Sequence, residues 1–154
     1  MHALTVLTNN NAVDATEVIY VMNFGQYLFL GYRDLSTTQY TFESEKVASE
    51  NRRRIIVDRA ERVAEDHIQL YSDFTILANG NAIEAGIVTR IITDLEKCRM
   101  DIGIHRMDPI SFQFATLEEL EESQEKLLAD CKSTNYEPRE TNAKQLSLSG
   151  LTNK

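Results

Sequence analysis

The chain has no tryptophan, two prolines, six glycines, two cysteines and three histidines among its 154 residues. Each scarcity excludes something. Cys98 and Cys131 show no CxxC or CxH spacing and are too few for a secreted disulfide scaffold, so a reducing, cytoplasmic setting is expected. His2, His67 and His105 stand at no ligand spacing, which argues against a metal site. Cys98 and His105 fall at opposite ends of one predicted strand, unsuited to a nucleophile and base. No run of eighteen apolar residues is present, and Met1–Thr8 carries no basic region followed by an apolar stretch, so neither a membrane span nor an export signal is expected. Basic residues are outnumbered, 16 against 24 acidic, for a formal charge of -8 that repels phosphate backbones at long range and makes general nucleic-acid binding a poor expectation. With 42% apolar residues the chain can nevertheless bury a core of its own.

What is present is a repeat. Thr5–Ala15 reads TVLTNNNAVDA, and seventy positions later Thr75–Ala85 reads TILANGNAIEA. A second block follows in the same order at a separation of seventy-two: Leu30 and Gly31 match Ile102 and Gly103, Tyr40 and Phe42 match Phe112 and Phe114, and Ser44 matches Thr116. Two collinear blocks predict two copies of one unit.

The periodicity assigns elements to that unit. In Asn81–Lys97, Ile83, Ile87, Ile91 and Leu95 recur every fourth residue, with Asn81 as N-cap and Glu84 at the capping-box position, predicting a helix. By analogy a helix is expected over Asn11–Phe24, ending near Gly25. Gln26–Arg33 with Thr38–Phe42, and Met100–His105 with Ile110–Phe114, read as strand pairs. Ser44 and Thr116 are predicted N-caps of two further helices, the first running to about His67 with Ala48, Ile55, Ile56, Ala60, Val63 and Ala64 inward. Ile68–Tyr71 and Phe74–Ala78 read as short strands. The expected fold class is α+β, a tandem duplication of a βαββα unit in ferredoxin-like order: residues 1–72 as first copy, 73–132 as second, and a polar tail over 133–154 that is flexible or bound to a partner.

Four clusters are candidates for function. Arg52, Arg53, Arg54, Arg59 and Arg62 form a basic run that suits a phosphate or an acidic protein surface, or else pairs along its own helix with Glu50, Asp58, Glu61 and Glu65. Glu118, Glu119, Glu121, Glu122 and Glu125 reverse the sign on the second copy's matching helix, inviting head-to-tail association. The asparagine loops, Asn9, Asn10 and Asn11, and Asn79 and Asn81, follow the first strand and open a helix in each copy, where backbone amides receive an anion or Asn acts as cap. In order and loop position they resemble ACT domains, with Asn11-Ala12 and Asn81-Ala82 where that family has Pro-Gly; the resemblance implies a small metabolite bound between copies. Lastly, Val18-Ile19-Tyr20 and Phe29-Leu30-Gly31 resemble the paired tripeptides of GIY-YIG nucleases, although Val18 replaces the first glycine, Phe29 the second tyrosine, and Asp34–Gln39 holds no arginine.

No residue set forms a catalytic or cofactor signature. The expectation is a non-enzymatic interaction or assembly protein, of a kind that suits a virus or phage, with a protein partner or a second copy of itself. The alternatives are the ACT-like regulatory module and an acidic inhibitor of a nucleic-acid-binding protein.

Overall fold

A computed structural model describes residues 4–68, 70, 72–134 and 139–142. The elements run β1 (Thr5–Val6), β2 (Ala12–Val13), a 3-10 turn (Ala15–Glu17), β3 (Val18–Phe24), β4 (Tyr27–Tyr32), β5 (Thr37–Thr41) and α1 (Glu45–Asp66). They continue as β6 (Phe74–Ile76), β7 (Ala82–Glu84), a second 3-10 turn (Ala85–Ile87), β8 (Val88–Asp94), β9 (Arg99–Ile104), β10 (Ile110–Gln113), α2 (Leu117–Ser133) and β11 (Arg139–Asn142). The class is α+β. Two compact units divide the chain: unit 1 is Met1–Phe74 with Asn81–Glu84, and unit 2 is Thr75–Gly80 with Ala85–Lys154.

Unit 1 is built on the antiparallel hairpin β3–β4, whose two-residue turn needs the positive φ of Gly25 (+58°). β5 pairs on the far side of β4, and β7 pairs antiparallel on the far side of β3, with Tyr20 opposite Ile83 and Val21 opposite Ala82. Leu28 and Leu30 of β4 face the core while β5 alternates into solvent, the period of two expected of a sheet with one wet face. Over the sheet lies α1. The Ser44 hydroxyl accepts from the Val47 amide at its start, and His67 closes it in the left-handed conformation (φ 51°). Its buried stripe is Ala48, Asn51, Ile55 and Arg59, a narrower and more polar face than the predicted one; Ala60 and Ala64 are exposed.

Unit 2 repeats this internally. Its sheet is ordered β10-β9-β8-β11, with β11 parallel to β8. α2 is capped by the Thr116 hydroxyl and buries Leu120, Ser123, Leu127 and Cys131, each seventy-two positions beyond its counterpart in α1. Individual contacts recur as well. Thr5 Oγ1 donates to Asp58 at 2.9 Å, and Thr75 Oγ1 to Asp130 at 2.6 Å. The Thr8 amide donates to Asn51 and the Ala78 amide to Ser123, both at 2.9 Å. Arg54 donates to the Val6 carbonyl and Lys126 to that of Ile76, at 2.8 and 2.9 Å. A register irregularity falls between Val18 and Tyr20 in β3, and again between Val88 and Arg90 in β8. The two-residue length change lies in one hairpin turn: β3 and β4 are joined by two residues, β8 and β9 by four.

The helices expected over Asn11–Phe24 and Asn81–Lys97 do not form. Both segments are strand, 3-10 turn and strand, and Gly25 turns a hairpin instead of ending a helix. The βαββα, ferredoxin-like order is thereby corrected: among the described residues each unit has one α-helix, which follows β3–β5 in unit 1 and β8–β10 in unit 2 and is itself followed by a further strand, β7 or β11. A four-residue recurrence could not separate the two cases. Ile83, Ile87, Ile91 and Leu95 share one side of a helix, but positions an even number apart also share one side of a strand. The dense β-branched content of Val18–Met22 and Val88–Thr93 was the discriminating signal. Phe74–Ile76 is a strand as read, while Ile68 and Leu70 are not, and Gln69 and Tyr71 lie outside the described residues. Of the predicted tail, α2 runs on through Ser133 and residues 139–142 form β11; the rest of it, Thr134 apart, lies outside the described residues.

Candidate interaction site

Of the five arginines singled out by the sequence, Arg59 is buried, Arg52 and Arg62 are half-buried, and Arg53 and Arg54 are exposed. Arg59 sits in the buried stripe of α1, where Ile55 one turn earlier sets its face. Its Nε donates to the Val18 carbonyl (3.3 Å) and its Nη2 to that of Ser72 (3.4 Å), with the guanidinium 3.8 Å from the centre of the Phe74 ring. Burial, partly offset by Glu84, pulls its pKa down to about 10. Arg52 reaches the side-chain oxygen of Asn81 at 2.7 Å, and burial lowers its pKa too. Arg54 is committed to Val6. Arg62 pairs with Glu65 along the helix at 3.0 Å, a predicted pairing that forms, and Arg53 remains exposed. Asp58 is engaged by Thr5 instead.

The partner of Arg59 was not foreseen from the sequence. Glu84 on β7 is fully buried; its carboxylate accepts from Arg33 Nη1 at 2.9 Å and from the Ser72 amide at 3.2 Å, with Arg59 Nη2 at 3.4 Å. Its predicted capping-box role fails because no helix begins there. A signal was available: Glu84 interrupts the apolar segment AIEAGIV, and Arg59 continues the Ala48–Ile55 stripe. A charge at a core position announces a buried counter-charge. Enclosed between two guanidinia, Glu84 fastens β7 into unit 1 and has no room for a substrate.

The asparagine loops are hairpin structure. Asn9 Oδ1 accepts from the Asn11 amide at 3.1 Å, Asn10 adopts φ 69°, and its amide donates to the Leu7 carbonyl. This is an Asx turn at the tip of β1–β2, with all three asparagines exposed. Gly80 (φ 86°) takes the place of Asn10 in the later copy. Asn79 donates to the Gln113 carbonyl within unit 2, while buried Asn81 accepts from the Asn23 amide and Arg52 within unit 1. The anion site expected at a helix start has no helix behind it, and the loop residues serve different units.

The tripeptide resemblance has a packing explanation. Tyr20 lies on β3, not on a helix, directly opposite Gly31 on β4. Its ring covers that glycine so closely that a Cβ on residue 31 would collide with Cε2. Tyr20 is only 5% exposed, and burial raises its pKa. The ring fills the core over a small cross-strand neighbour.

An open cavity of about 340 Å³ in unit 1 is lined by Asp14, Glu17, Asp34, Tyr32 and Ser36. Its aspartates have structural duties. Asp14 Oδ1 accepts from the Thr16 amide and hydroxyl, and Asp34 Oδ1 from those of Ser36, which holds the Asp34 carboxyl below its usual range. Among the described residues no group of three or more His, Cys, Asp or Glu is placed to hold a metal, and no helix is long and apolar enough to cross a membrane.

The acidic run behaves differently from the basic one. Glu118, Glu121, Glu122 and Glu125 are exposed along α2 and Glu119 is half-buried, with exposed Leu117 at their head. No family model, curated protein or solved structure matches this chain significantly.

Proposed function

We propose that this chain is a non-enzymatic interaction and assembly protein, built by tandem duplication of one α+β unit, whose contact surface is the acidic face of α2. The recurring caps, strand irregularities and threonine-to-aspartate bonds support a common origin of the units. One contrast carries the functional reading. On the matching helices, though not at matching positions, α1 engages Arg52, Arg54 and Arg59 in hydrogen bonds within its own unit, whereas α2 leaves Glu118, Glu121, Glu122 and Glu125 exposed. Charge held at the surface is available for a partner, and desolvated opposite charge there sets specificity and association rate. The free thiols Cys98 and Cys131 suit a reducing, cytoplasmic setting.

Light scattering of the full chain at about 50 mM and about 500 mM salt tests the reading through self-association, because screening shortens from roughly 14 to 4 Å over that range. A salt-weakened assembly that Glu118→Gln, Glu121→Gln, Glu122→Gln and Glu125→Gln together abolish is the expected result. A particle monomeric at both salts removes self-assembly.

A second reading draws on the same row of carboxylates, which recur about every helical turn of 5.4 Å and present a regular polyanion. An inhibitor of a nucleic-acid-binding protein would show salt-sensitive competition with DNA or RNA for that protein, lost in the same fourfold variant.

A further inference from the structure

The geometry points to the outer edge of β8 as a docking site for the segment Asn11–Asp14 of a second copy of this chain. This deepens the assembly reading by naming a surface and its occupant. The mode of docking is visible inside unit 1. There the equivalent edge, on β3, seats Asn81–Glu84 antiparallel, with Tyr20 opposite Ile83 and Val21 opposite Ala82. Asn11–Asp14 reads NAVD against NAIE, position for position. Yet Ala12 and Asn11 are exposed, where Ala82 is fully buried and Asn81 is 4% exposed. The first copy therefore carries the same inserting strand, but without the antiparallel seat that β3 gives Asn81–Glu84.

The seat is on unit 2. Arg90 and Ile91 of β8 stand where Tyr20 and Val21 stand in β3, and β11 now occupies them, in parallel register with Arg139 and Glu140. Parallel pairing is the weaker arrangement per residue, and β11 is four residues long. Two side chains of β8 also lack partners: Thr93 is 3% exposed, and neither its hydroxyl nor Arg90 Nε has a hydrogen-bond partner among the described residues. Thr93 is the counterpart of Asn23, whose amide donates to Asn81. A docked segment would bring Asn11, an amide that both donates and accepts, to Thr93. The guanidinium clasp is missing, because His105, Cys131 and Gln124 replace Arg33, Arg59 and Arg52. Docking is accordingly reversible, a competition between β11 and a neighbouring chain for one strand edge.

The test is sedimentation velocity on the full chain over a concentration series. Glu140→Pro with Thr141→Pro removes ladder donors from β11, and should tighten self-association by at least about tenfold. Adding Ala12→Lys, at an exposed position that must become buried on docking, should return that variant to monomer with unchanged circular dichroism. Association that persists with Ala12→Lys overturns the strand docking but leaves assembly through another surface intact. A proline variant that stays monomeric overturns the docking outright. The α2 reading fails separately, through the salt dependence of the unmodified chain.

Discussion

Glu84→Gln tests the physical account of unit 1 most directly. The substitution keeps shape and one acceptor for the Ser72 amide but removes the charge that faces Arg33 and Arg59. The two arginines respond differently to that loss. The Arg33 side chain is 25% exposed and can turn to water, whereas that of Arg59 is 3% exposed and stays buried without its counter-ion. Breaking a buried pair from one side costs about 3–5 kcal/mol, and rehydration of Arg33 places this case at the lower end, near 3 kcal/mol. Arg59→Met should cost less, about 1–3 kcal/mol, since Glu84 keeps Arg33 and Ser72. Replacing both, by Glu84→Leu with Arg59→Met, should recover much of the loss because no buried charge is then stranded. Urea unfolding followed by tyrosine emission reads mainly unit 1: there is no tryptophan, and the tyrosines among the described residues, Tyr20, Tyr27, Tyr32 and Tyr40, all belong to that unit. A loss below about 1 kcal/mol for Glu84→Gln, or a larger loss for Arg59→Met, would refute the argument that desolvation of Arg59 dominates.

Packing and burial set three further outcomes. Gly31→Ala drives a methyl into the Tyr20 ring and should destabilise unit 1 by roughly 1–3 kcal/mol, with Tyr20→Val relieving much of it. Gly103→Ala meets Arg90 Cβ at 3.0 Å and Thr89 Oγ1 at 3.4 Å and should cost less, so equal losses in thermal melts would contradict the contact. Burial pushes the Cys131 thiol from 9.0 up to about 11. Its folded pKa is raised, so its contribution to stability is whole below pH 9 and is lost as pH rises through 11. Between about pH 8 and pH 10.5 the wild type should lose stability relative to Cys131→Ala. A constant difference would show that the thiol does not titrate this way. At about pH 8 a thiol reagent should label half-buried Cys98 and spare Cys131 until the protein unfolds.

Local signals were enough for much of this protein. Ser44 and Thr116 cap helices because a hydroxyl before a helical period satisfies amides that nothing else reaches, and β4–β5 and β9–β10 follow from alternation between turns. The collinear residue matches were legible because corresponding core positions admit residues of similar size and polarity, as Ile55 and Leu127 do. What the sequence could not convey depended on partners distant along the chain. Whether Ile83 to Leu95 becomes helix or strand is decided by a neighbour able to take up its backbone bonds, as β3 does for Ala82 and Ile83 and β9 does for β8. The assignment of Asn81–Glu84 to the first unit, and the burial of Glu84 between Arg33 and Arg59, arise only when the chain folds back on itself. A charge in a core is tolerable solely where its counter-charge arrives, and that meeting belongs to the tertiary structure.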